Sequence, residues 1–216
     1  MPPRALEPSG VALVDKPAGP SSFAIVAQIP RVTGAKTGHA GTLDPFATGL
    51  LLILSGRSTK LAPALVGLDK RYLTDVDLGA TTTTGDPEGE IVERHDPPAD
   101  LDLDRLRGEI ELPVPAASAV KIGGRRAYEL HRRGVEVEMP RRRSVVHALD
   151  VVGREGDVVT LDLRVSSGTY VRAIAQALGG HCVSLRRTEV GPFSVDDARA
   201  PEAFRLLAES EVLAKL

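Results

Sequence analysis

One carboxylate, Asp44, stands in the segment Gly38-His39-Ala40-Gly41-Thr42-Leu43-Asp44-Pro45-Phe46-Ala47-Thr48-Gly49. Glycine, threonine and proline make this stretch too irregular for a helix interior or a central strand. An aspartate before proline is pushed toward an extended or turn backbone. A polar loop with one carboxylate and, five residues earlier, the imidazole of His39 runs directly into the apolar Leu50-Leu51-Leu52-Ile53-Leu54. It reads as a site carried on a scaffold. A lone loop aspartate serves either as a turn or helix cap, or as a nucleophile or base that wants a cationic neighbour to stay ionised when buried. His39 is open to two readings as well, a turn histidine bonded to backbone or a second polar group of the site. No second carboxylate lies close by for a hydrolytic pair. No Cys/His cluster supplies a metal, and nothing matches a nucleophile elbow.

Two further candidates carry aromatic hydroxyls. In Ser166-Ser167-Gly168-Thr169-Tyr170-Val171-Arg172, an extended approach to a helix would put Tyr170 and Arg172 on one side, two residues apart. The plainer reading is a core tyrosine beside an exposed arginine. Tyr72, next to Lys70 and Arg71, is the other, or an ordinary strand aromatic.

These residues need elements to position them. Val11–Asp15 reads as a short buried strand stopped by Lys16-Pro17, and Ser21-Ser22 caps a helix through Phe23, Ile25 and Val26. A buried strand follows the Asp44 loop. Lys70–Gly79 alternates, with Tyr72, Thr74, Val76 and Leu78 on one face. Thr81–Gly89 reads as a polar loop, and Leu101, Leu103 and Leu106 as a short helix with acidic residues at its start. Ala127–Gly134 is expected to be helical. Ser144–Val152 and Val158–Val165 form a hairpin. The spacing of Val171, Ile174, Ala175 and Leu178 predicts a helix ended by Gly179-Gly180. Val183–Val190 is a last strand and Pro201–Leu213 a terminal helix. Many strands with interspersed helices point to a mixed α/β or α+β fold.

The chain has 216 residues, a formal net charge of −2, 42% hydrophobic and 26% charged residues, and one cysteine, Cys182, which excludes an internal disulfide. No apolar run is long enough for a signal peptide or a membrane span. From Lys121 to Arg143, eight basic residues face three acidic ones. This is either a solvated face or a docking surface for an anionic partner.

Taken together, these motifs resemble the pseudouridine synthases, and within them the TruB family. The resemblance runs from about Gly10 to Phe193. It is carried by Asp15-Lys16-Pro17, the Gly38–Leu50 segment, Lys70-Arg71-Tyr72, Gly79 with its Thr-x-x-Gly-Asp-x-x-Gly turn, Ser118–Lys121 with Gly124–Glu129, Ser167–Arg172, and Leu185-Arg186-Arg187-Thr188. It implies an α+β pseudouridine synthase fold with a large, mainly antiparallel mixed sheet flanked by helices and loops. The implied reaction is the isomerisation of uridine to pseudouridine, at uridine 55 in the T arm of tRNA, without metal or organic cofactor. By motif, Asp44 matches the essential aspartate, Tyr170 the tyrosine placed for C5 deprotonation, and Arg172 the arginine that pairs with the aspartate. His39 matches the residue that takes the extruded base's place in the stack, Tyr72 the aromatic that stacks on the flipped base, and Lys16 a supporting lysine. Thr42, Lys121, Arg125, Arg126 and Leu185 complete the implied RNA- or substrate-binding set.

The expected organisation is a flexible tail over residues 1–9 and a catalytic domain over 10–216, without the C-terminal RNA-binding (PUA) domain usual in the family. Ala117 stands where the family usually has an aromatic. The implied partner is the tRNA T stem-loop, met by a cytoplasmic monomer with no membrane and no obligate protein partner. The alternative is a non-catalytic RNA-binding or RNA-folding module on the same scaffold.

Overall fold

The computed structural model describes residues 8–29 and 34–216. The strands are β1 (Gly10–Lys16), β2 (Thr37–Ala40), β3 (Thr48–Ser55), β4 (Lys70–Asp77), β5 (Ala80–Thr82), β6 (Ile91–Arg94), β7 (Gly108–Pro113), β8 (Lys121–Ile122), β9 (Arg125–Arg126), β10 (Arg141–Glu155), β11 (Val158–Val165), β12 (His181–Val190), β13 (Phe193–Ser194) and β14 (Leu206–Leu207). Helices are short: Ser22–Val26, Ala62–Gly67, Ala127–Arg132, Val171–Ala177 and Glu209–Leu213. The fold is α+β with a large, mainly antiparallel sheet, as the resemblance implied. Among the described residues no helix is long and apolar enough to cross a membrane.

The chain divides into two compact units, one of residues up to Tyr72 with Arg186–Leu216, the other of Leu73–Leu185. In the first, the strand order is β14-β1-β3-β12, with β2 on β3 and β13 on β12. Its central strand β3 reads Thr-Gly-Leu-Leu-Leu-Ile-Leu-Ser and is buried from Gly49 onward. Burial on both faces explains why it is a continuous apolar run without alternation. The core gathers Val11, Leu13, Leu50, Leu52, Leu54 and Leu65 with Phe193 and Val212. β1 pairs antiparallel along β3 from Gly10↔Ser55 to Lys16↔Gly49. β12 meets the start of β3 in parallel at Arg186↔Thr48 and Arg187↔Gly49. Of the expected tail, residues 1–7 lie outside the described residues. The Pro8 carbonyl accepts from Ser55 Oγ at 2.8 Å, and the Ser9 hydroxyl accepts from the Arg57 amide.

In the second unit the order β4-β11-β10-β7 carries the expected hairpin. β11 alternates, with Val159, Leu161, Leu163 and Val165 buried. β10 is longer than expected and shifts register twice against β11. Alternation in β4 is also as expected, with Lys70, Tyr72, Thr74 and Val76 buried.

Three expectations are corrected. Leu101–Leu106 is not a helix: one 3₁₀ turn, Asp104–Leu106, precedes β7, and only Leu106 of the three leucines is buried. One apolar anchor cannot offset the cost of nucleating a helix. Thr81–Gly89 is not wholly loop, since β5 pairs with β6 across it, and Thr84 and Asp86 are buried. Pro201–Leu213 is broken into a 3₁₀ turn, strand β14 and the helix Glu209–Leu213. Leu206 and Leu207 pair with Ala12 and Val11 of β1. Satisfying the open edge of β1 outweighs a local helical preference.

Candidate functional site

The Asp44 loop is built entirely within the first unit. Leu43 is buried (3% exposed) and pins the loop to the core. The Ser22 hydroxyl clasps that residue twice, donating to the Leu43 carbonyl at 2.9 Å and accepting from its amide at 2.8 Å. Ser22 opens a short helix whose N-cap is Ser21, accepting from the Ala24 amide. The side of Asp44 after the pin is a turn, closed by the Ala47 amide donating to the Asp44 carbonyl at 3.1 Å. The Gly19 amide donates to the Pro45 carbonyl.

Lys16 lies beneath this turn and is fully buried. Its ammonium donates to the carbonyls of Ala47 at 2.6 Å, Pro17 at 2.9 Å and Pro45 at 3.1 Å. A buried cation is tolerable where carbonyl dipoles surround it. Two of the three dipoles here belong to Pro45 and Ala47, one and three positions after Asp44. The side chain of Asp44 itself is half-buried, and Thr42 is exposed.

His39 sits on β2 opposite Ile53. Burial, then the nearby Arg187 guanidinium, lowers its imidazole below the ordinary value, against a backbone hydrogen bond at Gly41 that favours the protonated form. Tyr72 is 8% exposed and lies on the same face of β4 as Lys70. Lys70 donates to the carbonyls of Val66 and Leu68 at the end of the helix Ala62–Gly67. Burial and Arg187 push its ammonium down to about 8, against the pull of Asp69.

In the second unit, Tyr170 is the N-cap residue of the helix Val171–Ala177, extended and half-buried. Arg172 is already in that helix's first turn and is 2% exposed. The expected extended spacing of the two, side by side before the helix, is therefore corrected: Val171 starts the helix, and residues two apart on a helix diverge. The Arg172 guanidinium donates to Asp86 Oδ2 at 2.9 Å and to the carbonyls of Thr84 at 2.8 Å and Ala117 at 2.9 Å. Asp86 is also bound by the Thr84 hydroxyl at 2.6 Å and the Glu88 amide at 3.0 Å. By sequence Asp86 is only a turn former of Gly85-Asp86-Pro87, and its pairing with Arg172 is not foreseen. The signal available was an arginine set among Val171, Ala173, Ile174 and Ala175 in an apolar helix, where a buried cation needs a carboxylate.

Lys121, Arg125 and Arg126 are exposed on the hairpin β8–β9. Its two-residue turn, Gly123-Gly124, has both φ values positive (56° and 83°), the conformation of a type I′ turn. The other basic residues of the stretch, Arg132, Arg133 and Arg141–Arg143, are exposed too. Leu185 is buried on β12.

A solved pseudouridylate synthase superposes with a TM-score of 0.55 at 17% identity, over 98% of this chain and 76% of that one, so the fold is that of the pseudouridine synthases. A chain in the crystal structure of a Cbf5-Nop10-Gar1 complex superposes with a TM-score of 0.66 at 29% identity, over 88% of this chain and 51% of that one. The present chain thus spans about half the length of that solved protein. Over 207 residues it is 45% identical to tRNA pseudouridine synthase B of Leifsonia xyli subsp. xyli, covering 87% of this chain and 68% of that protein. It is 40% identical over 217 residues to the protein of the same name from Bordetella avium, covering 93% and 88%. A family model described as the N-terminal domain of the TruB family of pseudouridylate synthases matches residues 30–171. The chain belongs to the TruB family of pseudouridylate synthases, which are isomerases.

Proposed function

We propose that this enzyme converts uridine 55 in the T arm of tRNA to pseudouridine, with Asp44 as the carboxylate on which the reaction depends. The N1–C1′ bond breaks, the uracil turns, C5–C1′ forms, and the C5 proton leaves while N1 regains one. The target base must first leave its stack, at a cost of about a few kcal/mol. In this reading His39 takes its place, and Tyr72 stacks on the flipped base. From their places in the family motif, Tyr170 is the phenol that takes the C5 proton and Arg172 the arginine of the reaction. Thr42 and Leu185 contact substrate, and Lys16 supports the loop. Lys121, Arg125 and Arg126 meet RNA phosphates.

The observation that supports this reading most is the way one loop carboxylate is pre-positioned by buried partners. Lys16 and Ser22 hold the backbone on either side of Asp44 at four hydrogen bonds of 2.6–3.1 Å. Such rigidity has little use in a turn cap. It suits a group that must act in one geometry on a substrate brought to it. The test is release of tritium from a tRNA transcript labelled at C5 of uridine. The parent protein should release it in step with pseudouridine at position 55. Asp44→Asn should lower the rate by about three orders of magnitude or more, with RNA affinity and melting temperature nearly unchanged. Substantial turnover by that variant, or tight binding without release by the parent, would refute the reading.

A further inference from the structure

The Asp44 loop has a neck as well as a floor. β2 and β3 are antiparallel, and their last pair before the loop is Ala40↔Leu52. Gly41 is the first residue after β2, and Leu50 is the third residue of β3, two positions short of that last pair, so the two flank the loop that carries Asp44. Arg187, on β12, reaches both. Its Nε donates to the Leu50 carbonyl at 2.7 Å and its Nη2 to the Gly41 carbonyl at 3.2 Å. These two N–H groups lie on one edge of the planar guanidinium and point in parallel. One rigid fork thus bridges two carbonyls with eight residues of chain between them. Arg187 is 1% exposed, so the donors of both bonds lie out of reach of solvent.

The surroundings are shaped for this. β12 runs parallel to the start of β3 at Arg187↔Gly49. Gly49 has φ +100°, and a Cβ there would fall 2.3 Å from the Arg187 carbonyl oxygen. Glycine alone lets the two backbones approach closely enough for the arginine to turn back over the loop neck. A Cβ on Gly41 would lie 3.4 Å from Arg187 Nη1, so the guanidinium rests against that backbone too.

We propose that Arg187 is a positioning residue for the isomerisation: by clipping Gly41 to Leu50 it closes the neck of the Asp44 loop and fixes where the carboxylate is presented. The proposal rests on the reaction assigned above. A lysine keeps the charge but carries all its donors on one nitrogen, and so lacks the two parallel, coplanar N–H groups on separate atoms that reach both carbonyls here.

The test uses Arg187→Lys in the full chain, with three measurements. These are single-turnover tritium release at saturating tRNA, tRNA affinity by filter binding, and amide exchange of Ala47, whose N–H closes the turn after Asp44. The expected result is a folded protein with tRNA affinity within about threefold of the parent, a rate at least about thirtyfold lower, and an Ala47 amide that exchanges at least about tenfold faster while the β1–β3 ladder stays protected. A rate within threefold of the parent would overturn the proposal. So would rate and affinity falling together, or a uniform loss of protection, either of which marks a merely structural residue. Should Arg187→Lys not fold, Arg187→Gln, which removes the buried charge and keeps an amide donor, goes through the same measurements. Loss of folding in both makes Arg187 part of the core and ends the proposal. If the parent releases no tritium, the assigned reaction fails on its own, and the clip is judged by Ala47 exchange.

Discussion

Replacing Lys16 by methionine separates the stability of the scaffold from the positioning of Asp44. The variant keeps an unbranched stem and removes an ammonium that is fully buried and donates to Pro45, Ala47 and Pro17. Each charge-assisted bond contributes about 1.5–3 kcal/mol, and a carbonyl left unsatisfied in the interior costs about 1–3 kcal/mol. Against this, the variant no longer takes an ammonium out of water, an opposing contribution of several kcal/mol. Counting each of the three bonds once, the loss is about 4.5–9 kcal/mol against several kcal/mol of relieved desolvation, so the balance is a net destabilisation of up to about 4 kcal/mol, or up to about 16 °C in melting temperature for a chain of this size.

Catalysis has no such compensation. Two of the three lost bonds fix the backbone just after Asp44, and nothing in a methionine replaces them. If the productive loop geometry loses about 2 kcal/mol relative to its alternatives, turnover at saturating tRNA falls about thirtyfold. The assay is single-turnover tritium release, with melting followed by circular dichroism and tRNA affinity measured separately. Turnover within threefold of the parent, in a variant that melts within the expected range, would refute the reasoning. It would mean that the ammonium holds the loop without mattering to where the carboxylate points.

The depressed ammonium of Lys70 gives a pH test. Its folded value is about 8 against an ordinary 10.5, so between these pH values the unfolded chain binds more protons than the folded one, and stability contributed by this group rises with pH. Below about pH 8 the folded state carries the cost of the buried charge. Compared by urea denaturation, the parent should gain on Lys70→Met by up to about 3 kcal/mol between pH 7.5 and pH 10.5, and parallel pH dependences would contradict this. Removing the three cations of the β8–β9 hairpin together (Lys121→Ala, Arg125→Ala, Arg126→Ala) should leave melting unchanged, weaken tRNA binding at least about tenfold and lower the salt dependence of log K by about 2. An unchanged salt slope would show that these cations face solvent only.

Local chemistry in the sequence reveals those parts of the molecule that local chemistry decides. The Ser21 cap, the apolar run of β3, the alternation of β4 and β11 and the Gly134 helix end all follow from residues within one turn or one strand of each other. So does the Asp44 loop, because Asp before Pro among glycines has few other conformations open to it. The misreadings share a different cause. Leu206 and Leu207 are drawn into a strand by the edge of β1, nearly two hundred residues away. Asp86 reads as a turn former until Arg172, 86 positions later, is found to need it. Lys16 shows as a motif lysine, but its hold on Ala47 is a contact across 31 residues.

Arg187 carries this furthest. Its partners lie 137 and 146 positions earlier in the chain, and its neighbour Arg186, chemically identical, makes a different and half-exposed bidentate pair with Asp15. No periodicity or propensity separates the two arginines, because alternation on β12 only says that they point to opposite faces. What distinguishes them is which face of β12 lies over the neck of the Asp44 loop, and that is set by the parallel register of β12 on β3. Gly49 is the one residue that records this register locally. Its positive φ and the absence of room for a Cβ against the Arg187 backbone explain why the motif ends in Thr-Gly-Leu, a glycine whose reason lies on another strand.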